Sequence, residues 1–438
     1  MLAEFDVGRL DARVNNAPTT LKRAISKAKW HLLPFLMLLY LFNFLDRVNI
    51  GFAALQMNRD LGLSPTVFGF AAGVSFISYM SLEIPSNVIL LKVGARRWIG
   101  RIMISWGLIS AATAFAQGPI SLYLLRFLLG AAEAGFIPGI LYYLSMWFPK
   151  SERSRVTSSF YSAIAVSLLF GAPVSGLLMS LPDQAGLRAW QIMFIAEGVP
   201  SVVLGIACLF YLHDKPSQAP WLSESEAVAL ESVIAQESEG LSTHGPSSLL
   251  AVVKDYRAWL MGLVIFGLSY GIYAVTIWLP QILQQTFAGD TTTIGLVAAM
   301  PWLASLGGLW IIGQSSDRWQ ERHFHVAAGC LLATICFAIA ASATASVFTI
   351  GAIVTGTVGL YSVFGTAFSI PGNFLVGRGA AVGLAMVSAL GNISGFAAPY
   401  ILGLSKHVTE SYAGGLLSIA FCAAASGITV IALRRGSL

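Results

Sequence analysis

The chain has 438 residues, of which 56% are hydrophobic and only 11% charged, with a mean hydropathy of +0.73. A water-soluble domain carries roughly twice that share of charge, so the composition excludes a soluble enzyme or binding module and fits a protein that crosses a membrane many times. The net charge of +5 and pI near 9.0 would suggest nucleic acid in a soluble protein, but here the basic residues flank apolar runs and report topology, so no nucleic-acid partner is expected.

Residues 1–29 are polar and basic and read as a cytoplasmic N-terminal segment. They lack the apolar core and cleavage site of a secretory leader. Apolar runs long enough to span a bilayer follow near 31–57, 66–91, 98–117, 119–147, 154–181 and 190–212. The polar stretch 213–255 interrupts them. In it, Ser223 and Glu226 have capping-box spacing, which predicts a short helix in a cytoplasmic linker. Six more runs fall near 256–287, 292–314, 324–343, 346–370, 378–403 and 411–433. The expectation is an all-α membrane protein of twelve transmembrane helices, with one six-helix bundle over 30–212 and a second over 256–438. Of the 26 Lys and Arg residues, 21 fall on one side of this arrangement, which predicts both termini and the linker in the cytoplasm. The four cysteines lie in apolar runs without metal-ligand spacing, so no metal site is expected.

Two pairs of charged residues stand out inside apolar runs, where a lone charge costs a few kcal/mol or more and usually faces a cavity or a partner. Asp46 and Arg47 sit in the first run, Asp46 about 22 Å from an entry point near His31 at ~1.5 Å per helical residue. Arg126 and Glu133 sit in the fourth, seven residues apart and therefore on one side of a helix, about 10 Å apart along it. Glu83 lies within about two turns of a span end, and Glu197 precedes Gly198-Val199-Pro200. Helix packing or gate hydrogen bonding is the reading for both. Between Tyr256 and Thr409 the only acids are Asp290, Asp317 and Glu321, all in loops, so proton chemistry falls to the first half. The second half offers Tyr273, Gln281 and Asn392, and the first adds Tyr79, as polar lining.

Several of these residues stand in motifs that resemble the major facilitator superfamily, and within it the anion:cation symporter family of organic-acid permeases, of tartrate, galactonate and hydroxyphenylacetate type. The motifs are Leu45-Asp46-Arg47-Val48-Asn49, Glu83-Ile84-Pro85-Ser86-Asn87, Gly94-Ala95-Arg96-Arg97-Trp98, Leu125-Arg126-Phe127-Leu128-Leu129-Gly130 and Glu133-Ala134-Gly135-Phe136-Ile137-Pro138-Gly139. Trp278-Leu279-Pro280-Gln281 and Gly391-Asn392 match in the second half. The resemblance implies Asp46 and Glu133 as proton sites and Arg47 and Arg126 as substrate or gating cations. Tyr79, Tyr273, Gln281 and Asn392 are the further substrate-binding candidates, and Glu83, Arg96, Arg97, Asp317 and Arg318 the gating candidates. Two positions depart from the pattern. Leu91 stands where the loop motif has an acid, and Phe44 where sugar-acid members carry Tyr.

The functional expectation is a symporter that imports a small organic anion with H+ by alternating access. No P-loop, metalloprotease or paired C-x-x-C motif is present, so an enzyme is not expected. The expected partners are a small anionic substrate, H+ and the lipid bilayer, with no cofactor and a monomeric state in a bacterial inner membrane. The alternative is a proton-coupled efflux antiporter, which buried arginines disfavour for cationic cargo.

Overall fold

The computed structural model describes residues 7–239, 254–287, 289–319, 321–343, 346–373 and 378–435. The first half holds α1 (Val7–Asp60), α2 (Pro65–Val93), α3 (Ala95–Ala112), α4 (Pro119–Glu133), α5 (Phe136–Trp147), α6 (Lys150–Met179) and α7 (Ala189–Tyr211). After α8 (Glu224–Glu239) the second half holds α9 (Tyr256–Thr286), α10 (Thr291–Trp319), α11 (His323–Ser342), α12 (Ser346–Ser369), α13 (Arg378–Thr409) and α14 (Ala413–Arg435). Among the described residues twelve stretches are long and apolar enough to cross a membrane; α4 and α5 together make the fourth. The first crossing candidate begins at Thr19, inside the segment read as polar, because the helix runs on through Lys22, Lys27 and Lys29.

Short polar caps start the helices where the sequence turns. Ser64 Oγ accepts from Val67 N at 3.3 Å with Pro65 at the first helical position, which needs no N–H there. Asp255 caps α9 through Arg257 N, and Asp290 Oδ1 accepts from Thr293 N, both at 2.9 Å. Ser223 and Glu226 exchange both capping-box bonds at 2.9 and 3.3 Å and start α8. That helix is fastened to the first half. Lys27 Nζ donates to Glu226 at 2.8 Å, Lys150 N to Glu237 at 2.9 Å, and Trp221 stacks on His31 and Trp147.

The two halves meet through α1 with α9, α2 with α13 and α6 with α10. Glycines let these backbones touch on the side remote from the termini. A Cβ on Gly51 would fall 2.6 Å from Ile277 O, and one on Gly176 2.6 Å from Thr291 O. Gly69 meets Pro399 O, and Gly403 meets Pro65 O, more closely still. Asn58 Nδ2 donates to Gln281 Oε1 at 3.2 Å there, and Phe68 packs edge-on against Trp278. At mid-span Phe76 meets Tyr273, with ring centroids 4.7 Å apart, and both rings line a cavity between the halves. Gly51→Leu is therefore expected to wedge α1 from α9 and shift the population toward a form open on the remote side. Accessibility of a cysteine introduced near Gln281 to an impermeant thiol reagent would rise; unchanged labelling would count against it.

Candidate functional site

The cavity, of about 140 Å³, is walled by Phe44, Asp46 and Arg47 on α1, Ser75, Phe76 and Tyr79 on α2, and Arg126, Leu129 and Glu133 on α4. Ile164 and Leu168 come from α6, Ser269, Ile272, Tyr273, Thr276 and Ile277 from α9, and Tyr361 and Phe364 from α12. All four intramembrane charges that the sequence singles out therefore face one space.

The position of Glu133 comes from a break in the fourth span. Pro138 has no N–H to give to the Ala134 carbonyl four residues earlier, and in a continuous helix its ring would clash with that carbonyl. Gly135 accommodates the break in left-handed backbone, φ 86°, ψ 2°, so α4 stops at Glu133 and α5 starts at Phe136. The freed Ala134 carbonyl accepts from Ser86 Oγ at 2.6 Å, and Ser86 accepts from Trp98 Nε1 at 3.0 Å. No buried backbone group is left unpaired at this carbonyl, which a bilayer interior demands.

Asp46 and Arg47 are adjacent in sequence, but successive helical residues project in different directions, and the two take different partners. Arg47 reaches across to Glu133. Its Nη2 and Nε donate to Glu133 Oε1 at 2.5 and 3.0 Å, and Asn43 Nδ2 adds a third bond to the same oxygen at 2.6 Å. The rings of Phe44, Phe76 and Tyr79 surround the Arg47 guanidinium at 5.5–5.8 Å, within cation–π range. Asp46 turns to α3 instead. It accepts from Trp106 Nε1, from Ser110 Oγ at 2.5 Å and from Asn49 Nδ2 at 3.2 Å. Trp106 and Ser110 are one helical turn apart on the same face of α3, a spacing that was visible in the sequence, but nothing there said which helix they would face.

Arg126 differs from the other three. It is 4% exposed, it makes no ion pair among the described residues, and its Nε is buried without a partner. Burying a guanidinium uncompensated is costly, so the arrangement leaves a cation facing the cavity with bonding capacity to spare. An anion that enters finds the planar donor fork that suits a carboxylate.

The remaining candidates divide. Tyr79 and Tyr273 line the cavity. Gln281 lies at the joint between the halves on the remote side, bonded to Asn58, and Asn392 is half-buried on α13 outside the cavity walls. Glu83 is half-buried one turn beyond Tyr79 toward the terminal side and does not line the cavity. Arg96 offers its backbone N–H to Asp214 Oδ1 at 2.9 Å, and Gly94, at φ 95°, turns against the same carboxylate. Asp214 thus lies beside the loop in which Leu91 replaces the usual acid. Arg97 and Arg318 are exposed, and the Asp317 side chain lies outside the described residues.

The Major Facilitator Superfamily family model matches residues 36–399. An Agrobacterium vitis protein provisionally named a tartrate transporter is 45% identical over 94% of this chain and 95% of its own length. A protein of Acinetobacter baumannii named a quinolone resistance transporter is 35% identical over 90% and 91%. Among solved structures, the partially occluded, inward-open xylose transporter XylE of E. coli superposes with a TM-score of 0.74 over 93% of this chain and 97% of that one; at 14% identity this shows a shared fold. The chain therefore belongs to the Major Facilitator Superfamily, and it is a multi-pass membrane transporter and not an enzyme.

Proposed function

We propose that the chain is a proton-coupled symporter that imports a small organic anion by alternating access, with Arg126 as the anion receptor and Asp46 and Glu133 as proton carriers. The observation that carries this reading is the buried, unpartnered Arg126 in a cavity that also holds two carboxylates. With both acids ionised, Asp46, Arg47, Arg126 and Glu133 sum to zero. A monoanion would leave the site at −1 in a low-dielectric interior, where unit charges interact several-fold more strongly than in water. One proton on either acid restores neutrality, and a dianion needs both. Charge balance thus ties protons to anions.

The pairing gives a route for the exchange. A carboxylate that draws Arg47 away leaves Glu133 with only Asn43, and a proton on Glu133 then restores the charge balance. The linkage is reciprocal: protonated Glu133 releases Arg47 to the anion. Cargo size follows from the cavity. At about 10–15 Å³ of such volume per water, 140 Å³ suits a solute of on the order of ten non-hydrogen atoms. That is the size of a four-carbon hydroxy-dicarboxylate or a simple aromatic acid, in keeping with the name of the Agrobacterium relative. The Lys and Arg bias supports termini on the cytoplasmic side, and the membrane is taken to be a bacterial inner membrane. One copy holds every residue that lines the cavity, so a monomer suffices for this reading.

The test is uptake of labelled carboxylates into proteoliposomes under an imposed pH gradient. Acid outside should drive accumulation, and a Na+ gradient alone should not. If no carboxylate accumulates under any proton gradient, the symport reading fails. The same vesicles test efflux, which the name of the Acinetobacter relative raises: proton-driven expulsion of a quinolone would establish antiport instead.

A further inference from the structure

Cargo can drive alternating access only if it touches both halves, because a ligand shifts a conformational equilibrium only through contacts that differ between the states. In the first half that contact is Arg126. The second half supplies seven residues to the cavity wall, and none of them is charged. A specific bond from a side chain on that side must therefore come from a hydroxyl, and four residues carry one. Thr276 Oγ1 is committed to Ile272 O on its own helix at 2.7 Å. Tyr273 packs edge-on against Phe76 and faces the Arg47 charge. Ser269 is 6% exposed, and its short side chain stays close to α9. Tyr361, on α12, is left.

The Tyr361 ring is held from behind. Trp302 on α10, 4% exposed, meets it edge-on with ring centroids 5.8 Å apart. The two helices pack closely beside this contact: a Cβ on Gly308 of α10 would run into Ser362 Oγ and fall 3.0 Å from Val358 Cγ1 on α12. A tyrosine gripped in this way presents its hydroxyl at a fixed place, with little rotamer freedom left to lose on binding. That hydroxyl makes no hydrogen bond to any described residue and is not sealed inside protein, so it opens on the cavity that its ring lines. By helical rise Arg126 lies about 10 Å from the remote end of α4, and Tyr361 about 22 Å from that of α12. The free donor fork and the free hydroxyl thus stand on opposite halves and at different depths of one cavity.

We propose that Tyr361 is the specificity-determining residue of the second half: its hydroxyl bonds a polar group that the anion carries at the end opposite to the carboxylate on Arg126. The favoured cargo is then a carboxylate with a hydroxyl or a second carboxyl group at its far end. The body between lies against Leu129, Ile164, Leu168 and Ile272, which offer no polar side-chain atom. A plain apolar acid of the same size fills the same space without the second bond and binds less tightly. A molecule held at both ends ties α4 to α12, which gives cargo a differential contact through which to favour closure of the halves on it. This role deepens the proposed function and rests on Arg126 as the anion receptor.

The test is a cycle between the Tyr361 hydroxyl and a hydroxyl on the ligand, read on the full chain by ligand-dependent thermal shift. Two probe pairs differ by one terminal hydroxyl: benzoate with 4-hydroxybenzoate, and butyrate with 4-hydroxybutyrate. The wild type should bind the hydroxylated member more tightly in at least one pair. Tyr361→Phe should weaken that member by about two- to twelvefold, the effect of one neutral hydrogen bond, and leave the plain acid as it was. Ser269→Ala should keep the preference, and Arg126→Gln should weaken both members alike. Equal binding of both members of both pairs by the wild type overturns the proposal, as does a preference that survives Tyr361→Phe or that Ser269→Ala removes as fully. An equal loss of both members in Tyr361→Phe marks a packing role and overturns it too. Should no acid of a wider carboxylate panel bind, the anion reading itself fails and this contact with it.

Discussion

Arg126→Gln is expected to weaken saturable anion binding by about thirtyfold or more. In the empty site the guanidinium is buried, has no ion-pair partner among the described residues and has an unbonded Nε, so it has donor capacity to offer an anion. When the anion binds, the same group supplies a desolvated, charge-assisted contact, and truncating one partner of such a pair costs about 2–5 kcal/mol, or roughly thirty- to several-thousand-fold in affinity. Arg126→Lys keeps the charge but loses the planar fork, and should bind with intermediate affinity. The measurement is ligand-dependent thermal shift over a panel of carboxylates, which reports binding as stabilisation of the native state. A variant that binds as tightly as the wild type would remove Arg126 from the role given to it.

The second large effect belongs to Asp46. Asp46→Asn should eliminate accumulation driven by a pH gradient, to below a tenth of the wild-type level, while leaving exchange of substrate across the membrane measurable. Asparagine imitates the protonated acid in charge, so the site can load and turn without taking up a proton. Its amide group cannot accept from all three donors that face Asp46, namely Trp106, Ser110 and Asn49, so some loss of stability, about 1–3 kcal/mol, should accompany the change. The comparison that decides is counterflow against net uptake in the same vesicles. Loss of both would point to a structural role for Asp46, and retention of concentrative uptake would move proton coupling elsewhere, with Glu133 the next candidate.

What sequence reading missed follows a pattern. The seven-residue spacing of Arg126 and Glu133 correctly placed both on one side of a helix, because spacing fixes relative direction within a single element. The adjacency of Asp46 and Arg47 invited a pairing that the structure does not make, because partners come from other helices. Asn43, Trp106 and Ser110 became visible as ligands of the two acids only once α1, α3 and α4 were packed together. Gln281 and Asn392 were polar residues on apolar spans like the rest. Their distance from the cavity depended on depth and helix rotation, which composition does not encode. Asp214 is far in sequence from the loop that carries Leu91, and only folding brought it beside Arg96.

The chain by itself determined that there are twelve crossings, because apolar length and the exclusion of charge from hydrocarbon are properties of consecutive residues. It also determined the break after Glu133, since Gly135 and Pro138 impose it locally. Tertiary structure decided which charge meets which, that Arg126 is left without an ion-pair partner among the described residues while Arg47 is neutralised, and that the halves touch backbone to backbone on the side remote from the termini. Those outcomes depend on contacts between residues sixty or more positions apart, and the energy of a buried charge is set by the neighbours that packing gives it.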